Sequence, residues 1–438
     1  MEKIKKLIRI NINQENKNLF KNFIALTILQ ATNFILPLIT LPYIIKVIGA
    51  EKFGILNIAQ ALITYLVVFT DYGFNLSATR EISIHRDNTQ KLSKISSVVF
   101  ATKLVLCLVS IIILSILILA VPKFRAESTL FFYSFSIVLG QALLPIWFFQ
   151  GTEKMKFITY LNLFSKIIFT ILIFIIITTP SDYIYIALLN SVANILSGII
   201  GIWIMVYKFK IRFTFPALSL IKKEIQEGWY IFTSNLSNII YTNSNIIILG
   251  FFASNLVVGY YSIAEKVINA IKQILIVFSQ AVYPKICRLS LEGHLSIVSF
   301  IKKMVLPFTL SIFIINSVVL FFSDKIVYFF SGAYIPEPIL LLKLLCFVPF
   351  IVSLNIPPYQ TLLAYNLKKS YSFILTAGAF INVTLNLLLA SSMQSLGTVI
   401  TVIITETFIT LGLYLILELK YPKYSLFSKF VIHPNASS

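Results

Sequence analysis

The stretch SVVFATKLVLCLVSIIILSILILAV, residues 97–121, decides the fold class. It carries a single charge, Lys103, in a run long enough to span a bilayer. A helix needs ~20 mostly apolar residues to cross ~30 Å of hydrocarbon. The run lacks the strict alternation of a barrel strand, and only helices or closed barrels satisfy their backbone inside lipid. Runs of the same kind lie at 23–48, 54–77, 128–150, 157–179, 183–207, 229–251, 259–284, 300–322, 339–362, 371–390 and 396–418. The expected fold is therefore all-α: a polytopic membrane protein with about twelve transmembrane helices.

Composition agrees. The 438 residues are 58% hydrophobic and 12% charged, with mean hydropathy +0.89. A soluble domain is roughly 25% charged, and water could not cover this much apolar side chain. Lys and Arg number 36 against 17 Asp and Glu, a net charge of +19. The basic residues are unevenly placed: the two ends and the even-numbered connections hold 26, the odd-numbered connections at most 8. That asymmetry puts both termini in the cytoplasm. It also accounts for most of the charge without nucleic acid.

Helices 1–2 resemble helices 7–8 at an offset of 205 residues. Gln30 aligns with Asn235, Asn33 with Asn238, Thr40 with Asn245, and Ile58-Ala59-Gln60 with Ile263-Ala264-Glu265. Helices 4 and 10 match at 213, through Pro145 and Pro358. The organisation read from this is a cytoplasmic segment 1–22, a six-helix bundle 23–207, a cytoplasmic linker 208–228, a second bundle 229–418 and a cytoplasmic tail 419–438. Two similar bundles in the same orientation would surround a central cavity.

Polar groups sunk in these runs are the candidate site. Helix 7 carries Asn235, Asn238, Thr242 and Asn245 at helical spacing, and helix 1 carries Thr27, Gln30, Asn33 and Thr40. Amides facing lipid would be unpaired, so the stripes face protein or water. They serve either interhelical hydrogen bonds or a wet, sugar-binding cavity. Ionisable residues at membrane depth are functional candidates by default: Asp71, Lys103, Lys166, Glu265, Lys266, Lys272 and Glu406. Lys46, Lys103 and Lys343, nearer helix ends, are expected to snorkel. Lys166 and Lys272 are deeper and would attract a phosphate-bearing ligand. Asp71, Glu265 and Glu406 are either their ion-pair partners or sites of proton or sodium coupling. Pro37, Pro42, Pro145, Pro357 and Pro358 mark expected kinks.

Enzyme chemistry is poorly provided for. His85, His294 and His433 fall on the expected cytoplasmic side. No phosphate-binding loop, zinc motif or nucleophile elbow is present, and the spacing of Cys107, Cys287 and Cys346 suits neither a metal nor a disulfide framework. No metal or cofactor is expected.

Three segments resemble one family. Leu41-Pro42-Tyr43-Ile44-Ile45-Lys46-Val47-Ile48-Gly49-Ala50-Glu51-Lys52-Phe53-Gly54 is similar to the first-loop signature of bacterial O-antigen repeat-unit flippases of the polysaccharide transporter family. Thr70-Asp71-Tyr72-Gly73-Phe74-Asn75-Leu76-Ser77-Ala78-Thr79-Arg80-Glu81 resembles its helix 2 signature, and Trp147–Met155 the end of its helix 4. The resemblance implies transport of an undecaprenyl-pyrophosphate-linked oligosaccharide from the cytoplasmic to the periplasmic leaflet of the inner membrane, by alternating access. Family members often carry arginine where this chain has Lys46. Asp71 and Arg80 match the pattern. The implied partners are the lipid-linked oligosaccharide and membrane lipids, with a polysaccharide polymerase and a chain-length regulator as further candidates. The alternatives are a multidrug exporter of the same superfamily, whose interior should be acidic, and a membrane-embedded polysaccharide polymerase or ligase, which usually needs a large external loop.

Overall fold

A computed structural model describes residues 2–426, with side chains from Leu36 onward except those of Leu38, Asn238 and Tyr241. The side chains of Gln30, Asn33 and Asn238, and the end of the tail, thus lie outside the described residues. The described chain is helical and falls into two compact units, Met1–Ile239 and Ile240–Ser438.

The first unit begins with α1 (Glu2–Asp71), interrupted at Gly49, whose φ of 75° is readily reached only without a Cβ. Tyr72 and Gly73, with φ of 48° and 86°, turn the chain into α2 (Phe74–Ile84). The Asn88 side chain accepts from the Lys91 amide at 3.0 Å and starts α3 (Thr89–Ala120), which contains most of the opening stretch. There follow α4 (Pro122–Ala126), α5 (Ser128–Leu143), α6 (Ile146–Gly151), α7 (Met155–Ile176), α8 (Tyr183–Phe209) and α9 (Leu218–Phe252). The division between units falls inside α9, beyond the 208–228 stretch expected as a linker.

The expected kinks are not equivalent. Pro145 breaks its helix, because Leu144 before it is extended with ψ of 114°. Pro357 and Pro358 lie inside one continuous helix, and Pro37 and Pro42 inside α1.

An aromatic core closes the first unit. Phe74, Trp147, Phe148 and Phe149 are fully buried, and Phe100 meets Trp147 edge-on at 5.6 Å. Thus much of the 147–155 signature is packing. A Cβ on Gly151 would come within 2.7 Å of Ile82, so α2 and α6 touch backbone to side chain.

The second unit continues with α10 (Asn255–Glu292), capped by Ser254, then α11 (His294–Phe300), α12 (Leu306–Phe321), α13 (Ser323–Ser331), α14 (Pro336–Leu345), α15 (Phe347–Ala364) and α16 (Lys368–Leu415). A five-residue π-helical segment, Ile301–Val305, joins α11 to α12. The expected helices 11 and 12 appear as one element, α16, reversed at Gln394 with φ of 49° and ψ of −124°.

Among the described residues nine helical stretches are long and apolar enough to cross a membrane, two of them interrupted at Gly49 and Gln394, and Thr242–Phe252 is a shorter apolar one. Their outer faces are apolar: Leu104, Leu108, Ile112, Ile116 and Leu119 project from α3 at helical spacing. Polar side chains such as Lys103, Ser110, Asn382, Asn386 and Glu406 are buried. A greasy exterior over a partly polar interior is what lipid as solvent selects. The chain is a multi-pass α-helical membrane protein.

Candidate functional site

Each unit contains its own polar cavities. Two lie among the described residues of the first unit. In one, of about 160 Å³, the chain leaving α1 presents Asp71 to Lys103 of α3. Lys103 Nζ donates to Asp71 Oδ1 at 2.9 Å, and Asn75 Nδ2 donates to Oδ2 at 3.0 Å. Lys103 is only 2% exposed. The snorkelling expected for Lys103 is therefore corrected: a carboxylate one helix away holds the ammonium inside, where an unpaired charge would be costly.

The second cavity, about 250 Å³, lies among α1, α5, α7 and α8. Lys166 lines it with Gln141, Asn162, Ser165, Asn190 and Asn194. Close helix contact assembles the amides: a Cβ on Gly140 would sit 2.7 Å from that of Asn194, and one on Gly198 2.7 Å from that of Leu143. At that separation Gln141 Nε2 donates to Asn194 Oδ1 at 3.1 Å, and Asn194 Nδ2 donates to Asn190 Oδ1 at 2.8 Å. Gln141 lines both cavities. No carboxylate lines the second, and Lys166 makes no ion pair among the described residues.

In the second unit a cavity of about 330 Å³ is bounded by α9, α10, α14, α15 and α16. Lys272 Nζ donates to Glu406 Oε1 at 3.1 Å. Glu265 faces the same space, makes no ion pair among the described residues and accepts from the Tyr261 hydroxyl at 3.4 Å. An amide relay backs the wall: Thr398 Oγ1 donates to Asn386 Oδ1, and Asn386 Nδ2 to Asn245 Oδ1, both at 2.9 Å. Asn382 accepts from Ser244 Oγ at 3.3 Å. The helix 7 stripe is thus partly interhelical hydrogen bonding and partly cavity lining, since Asn245 does both.

The remaining candidates are placed differently. Arg80 is exposed and pairs with its neighbour Glu81 at 3.0 Å; Lys46 is exposed near the Gly49 interruption. Asn235 is half-buried, and neither it nor Lys266 lines the 330 Å³ cavity, although Lys266 acts electrostatically on Glu265. Sequence reasoning missed Gln141, Asn190, Asn194, Asn382 and Asn386. The signal was available: Asn190/Asn194 and Asn382/Asn386 are amide pairs at i, i+4 inside apolar runs, the spacing that shares a helix face. Among the described residues, no cluster of three or more His, Cys, Asp or Glu could hold a metal.

Residues 19–290 match the family model described as "Polysaccharide biosynthesis protein". The chain belongs to this polysaccharide biosynthesis family. Its relatives include a protein of Escherichia coli (strain K12) named "Putative O-antigen transporter", 30% identical over 400 residues, which are 91% of this chain and 96% of that one. Among solved structures, "Lipid II flippase MurJ, inward closed conformation" superposes with TM-score 0.64 at 14% identity, over 92% of this chain and 89% of the other. An inward-facing multidrug resistance MATE family transporter of the MOP superfamily gives 0.62 at 12%, over 91% and 98%. These two likenesses are of fold. For a member of the polysaccharide biosynthesis family, the cavities are the features whose chemistry can discriminate between cargoes.

Proposed function

We propose that the chain is a flippase that carries a lipid-linked oligosaccharide, an O-antigen or polysaccharide repeat unit on undecaprenyl pyrophosphate, from the cytoplasmic to the periplasmic leaflet of the inner membrane. Its helices are read as twelve crossings in two six-helix bundles, both termini cytoplasmic, working by alternating access. The observation that carries this reading is the Lys166 cavity: among the described residues, one ammonium amid amides and hydroxyls with no carboxylate, within a hydrocarbon-length bundle. Such a lining offers charge-assisted hydrogen bonds to a phosphate and neutral partners to sugar hydroxyls. It would repel a cationic drug, which weighs against the multidrug reading. The E. coli relative's name supports the same cargo.

The headgroup cannot cross hydrocarbon bare, since each polar group would lose its water. The amides substitute for that water while the lipid chain stays in the bilayer. Of the three acids considered for coupling, Asp71 and Glu406 are held by Lys103 and Lys272. Glu265 is the one that can take up a cation or proton without breaking an ion pair. The exported unit would pass to a polymerase and a chain-length regulator.

The test is deletion of the gene followed by analysis of lipid-linked intermediates. Single repeat units accumulating on the cytoplasmic face are expected. Units appearing outside at the normal rate, but unpolymerised, would overturn the flippase and indicate a polymerase.

A further inference from the structure

The turn joining α10 to α12 holds a feature outside the cavities described above. An open concavity of about 460 Å³ is lined by Lys285 of α10, Ser296 and Ser299 of α11, and Lys303 of the π-helical segment. Glu292, exposed, and the more buried Leu289 and Phe300 also line it. Both lysines are exposed, and neither makes an ion pair among the described residues. Its apolar part is anchored, because Leu289 belongs to a buried cluster with Val282, Ile286 and Ile297, against which Phe300 packs. Around the polar groups project Leu291, 88% exposed, Leu295, 83% exposed, and Met304 and Leu306, about half exposed.

Position decides what this combination can meet. The concavity sits where one candidate span, Asn255–Glu292, ends and the next, His294–Phe321, begins. It therefore lies at the level of the lipid headgroups, on the face that the basic residues assign to the cytoplasm. Exposed leucines there enter the acyl boundary, as in interfacial helices. Ammoniums beside them stand at phosphate level.

We infer that this concavity is a binding site for one anionic glycerophospholipid of the cytoplasmic leaflet. The lysines hold the phosphodiester by charge-assisted hydrogen bonds. Ser296, Ser299 and Glu292 meet a hydroxyl-bearing headgroup such as glycerol. With two ammoniums and one carboxylate the pocket keeps one positive charge in excess. It therefore prefers phosphatidylglycerol to zwitterionic lipids. The site is independent of the flippase reading, because none of its residues lines a cavity described above.

The test uses the full chain in nanodiscs of mixed phosphatidylglycerol, phosphatidylethanolamine and phosphatidylcholine. Lipid retained after exchange into detergent is quantified by mass spectrometry. Retention of phosphatidylglycerol over phosphatidylcholine is expected to fall roughly ten-fold in the Lys285→Gln/Lys303→Gln double variant. Lys302→Gln, which removes an exposed charge beside the pocket but outside its lining, should retain the lipid as the parent does. Undiminished retention in the double variant would overturn the site. So would an equal loss in Lys302→Gln, which would mark general surface charge, or equal retention of all three lipids by the parent.

Discussion

The two units use the same ingredients and dispose their charges differently. In the first, the acid and its lysine are set apart: Asp71 and Lys103 pair in one cavity, leaving Lys166 alone among amides in the next. In the second, both functions share a space: Lys272 is matched by Glu406, and Glu265 is left over. The first unit thus offers a spare cation, the second a spare acid. Depth in the membrane does not tell a binding charge from a structural one; the partner does. Lys272 is as deep a candidate as Lys166 by sequence, yet its charge is already neutralised.

The comparison makes graded claims. Removing one member of the tightest pair should do most harm. Asp71→Ala strands Lys103 in the interior and is expected to cost about 3–5 kcal/mol, read by thermal unfolding in detergent. Asp71→Leu with Lys103→Met should recover most of that loss. A single variant as stable as the parent would remove the structural reading of this pair. Lys272→Met strands Glu406 in the same way. Since the Lys272 side chain is 26% exposed, the expected loss is smaller, about 1–3 kcal/mol.

Glu265→Gln breaks no ion pair and should change stability by less than about 1 kcal/mol. Its effect is expected on the dependence of transport on a proton or sodium gradient, measured in proteoliposomes. Unaltered gradient dependence would clear Glu265 of coupling.

The smallest effect concerns a control outside both sets of cavities. Glu224 lies in the part of α9 before the expected span, and burial, then Glu227 and Glu81, hold its carboxyl above the usual range; Lys223 acts the other way. A raised acid binds its proton more tightly folded than unfolded. Its contribution therefore favours folding at low pH and is lost as pH rises from the ordinary carboxylate range through the raised value. Glu224→Gln should flatten that part of the stability–pH curve and leave transport unchanged.

Membrane spans were readable because lipid imposes length and continuity on any run like residues 97–121, which reappears within α3. The depth of Lys166 and Lys272 was readable for the same reason. Which lysine finds a carboxylate was not, because pairing depends on helix neighbours: Lys103 meets Asp71 across 32 positions and Lys272 meets Glu406 across 134. The breaks at Gly49 and Gln394 were readable too, because both fall in the short polar connections left between the expected runs, 49–53 and 391–395. The wall amides on α8 and α16 were hidden inside apolar runs, where one amide per turn barely lowers hydropathy.

Flipping of a labelled lipid-linked oligosaccharide in proteoliposomes, compared for the parent, Lys166→Gln and Lys166→Arg at equal protein abundance, tests the central claim most directly. Loss of a charge-assisted contact to phosphate should slow Lys166→Gln by about ten-fold or more, with Lys166→Arg largely restoring the rate. Parental rates in Lys166→Gln would show that the unpaired cation plays no part in carrying the headgroup.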